Sequence, residues 1–241
     1  MIDLHCHILP WVDDGAENAR VACQMAEQCL RNGVRTVVAT PHCNLRGARP
    51  NYRGRTYTEC ISMFRALLRQ HDIPLRVLSG AEIFAHGSNL RQLLMEDKVV
   101  TLNHSRYLLV EFNFQTRPEA LNQMLHMVTR FGYIPVIAHP ERYKAVQESP
   151  GLALQWYERG YIIQLNKGSL LGRLGQAAGE TAQYLISSQV AHVIASDAHD
   201  MRSRAPGFRS LIPVLKKHCS PNYIRDLLQR NPYRILTDQD L

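Results

Sequence analysis

Short apolar, β-branched runs alternate with longer amphipathic stretches almost from end to end, and this limits the fold more than any other feature. Residues 2–5 form the first run. From Asn18 to Asn32, Val21, Ala22, Met25, Ala26, Cys29 and Leu30 recur at helical spacing, and Gly33 follows as a stop. "VRTVVAT" (34–40) reads as a buried strand. A helix carrying Ile61, Phe64, Leu67 and Leu68 leads to Pro74, and 75–83 is the next strand. Further strands are expected at 107–112, 133–139, 161–166 and 191–197. Helices between them start at Pro118, span 152–159 and lie around 176–188, and two amphipathic helices close the chain. About seven β/α units without a linker predict a parallel sheet. In a chain of 241 residues they favour one domain and a closed barrel over an open sheet.

Composition supports a sizeable core, with 45% hydrophobic residues. No apolar run is long enough to span a membrane, and "MIDLHCHILP" lacks the basic start and long apolar stretch of a signal peptide, so a cytoplasmic protein is expected. The six cysteines (6, 23, 29, 43, 60, 219) show no C-x2-C pairing and read as reduced thiols. The formal charge of +7 is carried mostly by arginine, which suits anionic ligands or acidic protein segments as well as a plain solvated surface. No dense basic block with interleaved aromatics points to nucleic acid.

The metal-binding side chains are not scattered. His5 and His7 lie at the end of the first strand, with Asp13 and Asp14 in the loop after it. His42, Glu82, Glu111 and His139 follow at the next four strand ends, then Asn166, then Asp197 and His199. In a β/α barrel those ends converge on one face. His5-Cys6-His7 puts both imidazoles on one side of a strand, and Asp197-Ala198-His199 repeats that geometry if the chain stays extended. Isolated His71, His86, His104, His126, His192 and His218 read as surface or satisfied core residues. So many N/O ligands exceed one ion and point to two or three divalent ions (Zn, Mn or Fe) sharing bridging ligands. Such a net positive site attracts a phosphate dianion, which a metal-bridging hydroxide can attack in line.

"HCNLRGAR" offers a second reading, because His42-Cys43 followed by Arg49 has the H-C-x5-R spacing of a cysteine phosphatase loop. That loop needs several glycines and a hydroxyl after the arginine. Here there is one glycine, and Pro50 follows Arg49, so Cys43 is expected to be a bystander, with Arg46 and Arg49 at most attracting an acidic peptide.

The segments "DLHCHILPWVDDG", "TPH", "GAEI", "VEF", "AHPERY", "QLNKGSLLG" and "SDAH", in this order, resemble the PHP (polymerase and histidinol phosphatase) superfamily. They are most similar to its bacterial protein-tyrosine-phosphatase branch, the CpsB/CapC type. The match runs from the first residues to about Arg204. The resemblance implies an α/β fold, a distorted (β/α)7 TIM-like barrel forming a single domain over 1–241, with a trinuclear metal cluster. One ion would take His5, His7, Glu82 and Asp197, a second Glu82, Glu111 and His139, and a third Asp14, His42 and His199, with Asp13 the alternative to Asp14. Arg142 and Arg204 would grip the phosphate as catalytic residues, with Arg202 the nearby competitor. The substrate implied is phosphotyrosine on the tyrosine-rich tail of a bacterial tyrosine autokinase controlling capsule or exopolysaccharide production. A small-molecule phosphatase acting on a histidinol-phosphate-like ester and a non-catalytic kinase-binding scaffold are the alternatives. A degenerate scaffold would have lost ligands, and none is missing. Cys6 stands where the family commonly has Ser, and Trp11 where it has Gly before the aspartate pair, a change that could reshape the rim.

Overall fold

The computed structural model describes residues 1–45 and 49–241, with Ser88 described by its backbone alone. Arg46, expected to attract acidic peptide, lies outside the described residues. The strands are β1 (Ile2–Cys6), β2 (Thr36–Ala39), β3 (His42–Cys43), β4 (Arg76–Ser79), β5 (Glu82–Phe84), β6 (Tyr107–Glu111), β7 (Ile134–Ala138), β8 (Ile162–Asn166) and β9 (Val193–Ala195). They pair in parallel as two sheets, β1-β2-β4 and β3-β5-β6-β7-β8-β9.

Two expected strands are therefore broken. The strand read at 34–40 stops at Ala39 and resumes at His42 in the other sheet, with Thr40 and Pro41 between. Pro41 has no N–H to continue a ladder. The strand read at 75–83 breaks likewise at Gly80-Ala81. A Cβ on Gly80 would lie 2.6 Å from Val38 Cγ1, so only glycine lets the two breaks pack together. The Tyr57 hydroxyl spans the second break, donating to Gly80 O at 2.5 Å and accepting from Gly80 N at 3.0 Å. Beyond the breaks, His42 pairs in register with Glu82. Both breaks thus bring an expected ligand to the start of a new strand.

Eleven helices flank the strands among the described residues: α1 (Ala19–Arg31), α2 (Arg55–Gln70), α3 (Gly87–Met95), α4 (Pro118–Arg130), α5 (Lys144–Glu148), α6 (Gly151–Glu158), α7 (Lys167–Leu170), α8 (Gln176–Ser187), α9 (Ile212–His218), α10 (Pro221–Arg225) and α11 (Asn231–Leu236). Asn18 caps α1 by accepting from Val21 N at 2.9 Å, and α1 buries Ala22, Met25, Ala26 and Cys29, as its periodicity predicts. The closing pair of helices is in fact three, with a π-helical turn over Asp226–Arg230 between the last two. The major core fills the space between strands and helices. A second cluster takes Leu4, Val38, Leu78, Leu109, Val136, Ile162 and Val193 from successive strands and is joined by Ile235 and Leu236 of α11.

The last run is shorter than the expected 191–197 and bends back to the first strand. Asp197 N donates to His5 O at 2.9 Å, His7 N to Ala198 O at 2.8 Å, and Cys6 bridges Ala198 in parallel. Among the described residues no helix is long and apolar enough to cross a membrane.

Candidate metal centre

Glu82, placed by the Gly80 break, is the hub. Its Oε2 lies 3.2 Å from His5 Nε2, 3.3 Å from His7 Nε2 and 3.1 Å from His42 Nδ1, while its Oε1 lies 3.0 Å from His139 Nε2. Glu111 reaches the same place, with His42 Nδ1 at 3.7 Å and His139 Nε2 at 3.5 Å. Asp197 Oδ1 is 3.4 Å from His5 Nε2 and 3.6 Å from His199 Nδ1. Asp14 Oδ1 faces His42 Nε2 at 3.5 Å and His199 Nε2 at 3.3 Å. All nine expected ligands thus come together. They form four overlapping groups able to hold an ion: His7/Asp14/His42/His199, His5/Glu82/His139, His5/His7/Asp197 and His42/Glu82/Glu111. None of the isolated histidines joins those groups. His192 is half-buried and satisfied, accepting from Ile163 N at 3.1 Å.

The donor set fits divalent transition ions. Imidazole and carboxylate oxygen are the ligands that Zn, Mn and Fe share. Asp197 Oδ1 and His199 Nε2 are buried and make no hydrogen bond among the described residues, which is costly for polar atoms unless something else meets them.

A second layer of side chains aims these candidate ligands. His7 Nδ1 donates to Asp13 Oδ2 at 2.7 Å, and the same oxygen accepts from His42 N at 3.0 Å. Asp13, with a side chain 1% exposed, therefore sits behind the histidines, while Asp14, 62% exposed, faces them from the solvent side. Gly15 allows this loop to close, since a Cβ there would meet His7 O at 2.1 Å. His5 Nδ1 donates to Gln164 Oε1 at 2.9 Å, which turns Nε2 toward Glu82. Asn166 Nδ2 donates to Asp197 Oδ2 at 2.6 Å. Glu141 Oε1 in turn accepts from Asn166 N at 2.9 Å and Ser169 Oγ at 2.7 Å. Gln164 and Glu141 are absent from the sequence reading. The strand's period of two pairs Gln164 with Asn166 and could have found the first, whereas Glu141 carries no spacing signal of its own.

The backbone bends to make the site. The extended run expected through Asp197 is not there, because Asp197 has φ +50 and is left-handed, as His139 is at its own strand end with φ +35. Asp197 and His199 meet through that turn rather than by strand alternation.

Charge is strongly uneven across the centre. Burial disfavours ionised Glu82, but His5, His42 and His139 outweigh it and hold this carboxyl well below the usual range. Burial and the Glu82 charge push Glu111 up to about 8. Burial pushes His139 down to about 4. His7 is also opposed by burial, yet Asp13 raises it well above an ordinary imidazole.

Asp14, His42, Glu82, Glu111, His139 and Asp197 open onto a cavity of about 420 Å³ whose walls also include Arg142, Arg204, Phe84 and Phe114. Arg204 Nη2 lies 2.6 Å from Asp197 Oδ2 and Arg142 Nη1 3.6 Å from it. Arg202 is exposed, and among the described residues only its backbone N is engaged, by Asp200 Oδ1 at 2.5 Å, so of these two it is Arg204 that faces the cavity. Cys43 is fully buried and burial pushes its thiol up to about 12, which leaves it no thiolate for nucleophilic attack. Arg49 is exposed and does not line the cavity.

Comparison with known proteins places this geometry. Residues 1–237 match the family model described as "Capsular polysaccharide synthesis, CpsB/CapC". Tyrosine-protein phosphatase YwqE of Bacillus subtilis (strain 168) is 37% identical over 217 residues, covering 90% of this chain and 84% of that protein. Tyrosine-protein phosphatase CpsB of Streptococcus pneumoniae is 29% identical over 244 residues, covering 99% of each. A crystal structure from work describing YwqE of Bacillus subtilis and CpsB of Streptococcus pneumoniae as unique metal-dependent tyrosine phosphatases superposes with a TM-score of 0.90. It is 35% identical and covers 99% of this chain and 95% of that one.

Proposed function

Because the chain belongs to the CpsB/CapC family, we propose that it is a metal-dependent protein-tyrosine phosphatase. The observation that carries this reading is the Glu82 carboxylate with four imidazoles 3.0–3.3 Å from its oxygens, beneath two guanidinium groups. We assign His5, His7, Glu82 and Asp197 to one ion, Glu82, Glu111 and His139 to a second, and Asp14, His42 and His199 to a third. The ions are drawn from Mn, Fe and Zn. His7 also stands with the last set, which suits a centre built from shared ligands. We read the strands as a distorted (β/α)7 barrel in a single domain over 1–241. Support comes from the strand segments following one another in parallel and from the hydrogen bonds that return the last to β1.

When bound, the ions would supply Lewis acidity to the phosphoryl oxygens and a nucleophile from water at neutral pH. The protein's own residues do the rest. Asp13, Gln164 and Asn166 hold His7, His5 and Asp197 in fixed orientations. Arg142 and Arg204 take the equatorial oxygens, which carry more charge as the ester bond breaks, and a planar fork suits them. Tyrosine leaves as a phenol of pKa ~10, a tolerable leaving group without a strong general acid. The substrate proposed is the tyrosine-rich tail of a bacterial tyrosine autokinase that controls capsule or exopolysaccharide production, with the reaction in the cytoplasm. The test is hydrolysis of a phosphotyrosine peptide after chelation and again after Mn²⁺ is restored. Activity should vanish and return, and activity that survives thorough metal removal would sink the reading.

A further inference from the structure

Phe114 belongs to neither the metal ligands nor the residues that orient them. It lies on the cavity wall, and the Arg142 guanidinium carbon sits 4.4 Å above its ring centroid. The ring also meets His139 edge-on with centroids 5.9 Å apart. Its own backbone is held: Phe114 O accepts from Lys144 N at 2.8 Å, and Asn113 Oδ1 accepts from Gln115 N at 2.9 Å. Phe84 lines the same cavity, from the end of β5 two residues beyond Glu82.

We infer that Phe114 is the positioning residue for Arg142 and, together with Phe84, the aromatic wall that selects an aryl phosphate over an alkyl one. This rests on the tyrosine-phosphatase reading. A guanidinium over a ring face is attracted by the ring's quadrupole and keeps its plane parallel to it, which fixes the direction of its N–H groups. Among the described residues, the one other side-chain contact that holds the Arg142 guanidinium is a long 3.6 Å approach to Asp197. The ligands at the cavity floor are buried, with Glu82 and Asp197 each 1% exposed, so the phosphoryl group must descend past the rim. A phenyl ring between phosphate and peptide spans that depth and packs against Phe84 and Phe114. A serine ester has a single methylene and would drag polar backbone into the cavity.

The test uses the metal-loaded enzyme and two competitive probes, inorganic phosphate and phenylphosphonate. Their inhibition constants are measured against p-nitrophenyl phosphate and their binding by calorimetry, alongside metal content. Phe114→Ala should weaken phosphate by about tenfold, as Arg142→Ala should, and phenylphosphonate by more. Phe84→Ala should weaken phenylphosphonate alone. Phe114→Trp should restore phosphate binding, while Phe114→Leu, which keeps apolar bulk without a ring face, should not. Unchanged constants in Phe114→Ala, full recovery in Phe114→Leu, or a loss matched by loss of bound metal would each overturn the inference. A wild-type enzyme inert toward a phosphotyrosine peptide would overturn the underlying reading instead, and these probe constants would not be needed to see it.

Discussion

Lys167 Nζ donates to Gly207 O at 3.0 Å and also to Ala205 O, tying the first turn after β8 to the loop that carries Arg204. Lys167 is only 4% exposed and burial lowers its pKa, but Asp3 favours the charged form. A buried ammonium is retained here because it meets carbonyls that would otherwise lack donors. Lys167→Met should cost about 1–3 kcal/mol of stability by orphaning them. It should also lower kcat/KM about tenfold through a misplaced Arg204. Denaturant melts and steady-state kinetics at unchanged metal content check both, and a full-activity variant would show that the loop needs no tether.

The aspartate pair should separate cleanly. Asp14 Oδ1 faces His42 and His199, whereas Asp13 lies behind His7 and His42. Asp14→Ala is expected to lower the number of bound ions per chain. Asp13→Asn should keep that number and weaken affinity by about 10–100-fold, the usual cost of removing a partner behind a ligand. Elemental analysis after dialysis against graded chelator distinguishes them, and the opposite pattern would reverse the assignment.

Metal loading should release protons. With its carboxyl pushed up to about 8, Glu111 is largely protonated at pH 7 in metal-stripped protein. A ligand carboxylate must be ionised, so ion binding expels that proton and apparent affinity rises as pH climbs toward 8. Calorimetric titration of Mn²⁺ in two buffers of different ionisation enthalpy reads the proton count directly. A buffer-independent heat contradicts the prediction.

Cys43 and His42 are neighbours with opposite expected consequences. Cys43 is sealed in the core with a thiol pushed up to about 12, whereas His42 lies within 3.1 Å of Glu82. Cys43→Ser should leave kcat within about twofold, and His42→Ala should reduce it by at least about 100-fold, as loss of a ligand does. Phosphotyrosine-peptide turnover measures both. Inactive Cys43→Ser protein that still binds its full metal complement would reopen the cysteine mechanism.

The chain by itself determined the alternation of strand and helix and the address of every expected ligand. Both are local signals: β-branched runs mark strands, and period-two spacing puts His5 and His7 on one side. Four things waited for the tertiary structure. The breaks at Pro41 and Gly80, which pass the strands from one sheet to the other, depend on close packing against Val38 and on the Tyr57 hydroxyl. That Asp14 faces His42 and His199 while Asp13 does not depends on His42 N, a residue far along the chain, claiming the Asp13 carboxylate. Arg204 faces the cavity rather than Arg202 because Asp197 receives its guanidinium, and Phe114 became visible only when its ring was found beneath Arg142. Spacing encodes which face a side chain leaves from. Which neighbour it meets is decided by contacts between segments distant in sequence, and those exist only once the chain has closed on itself.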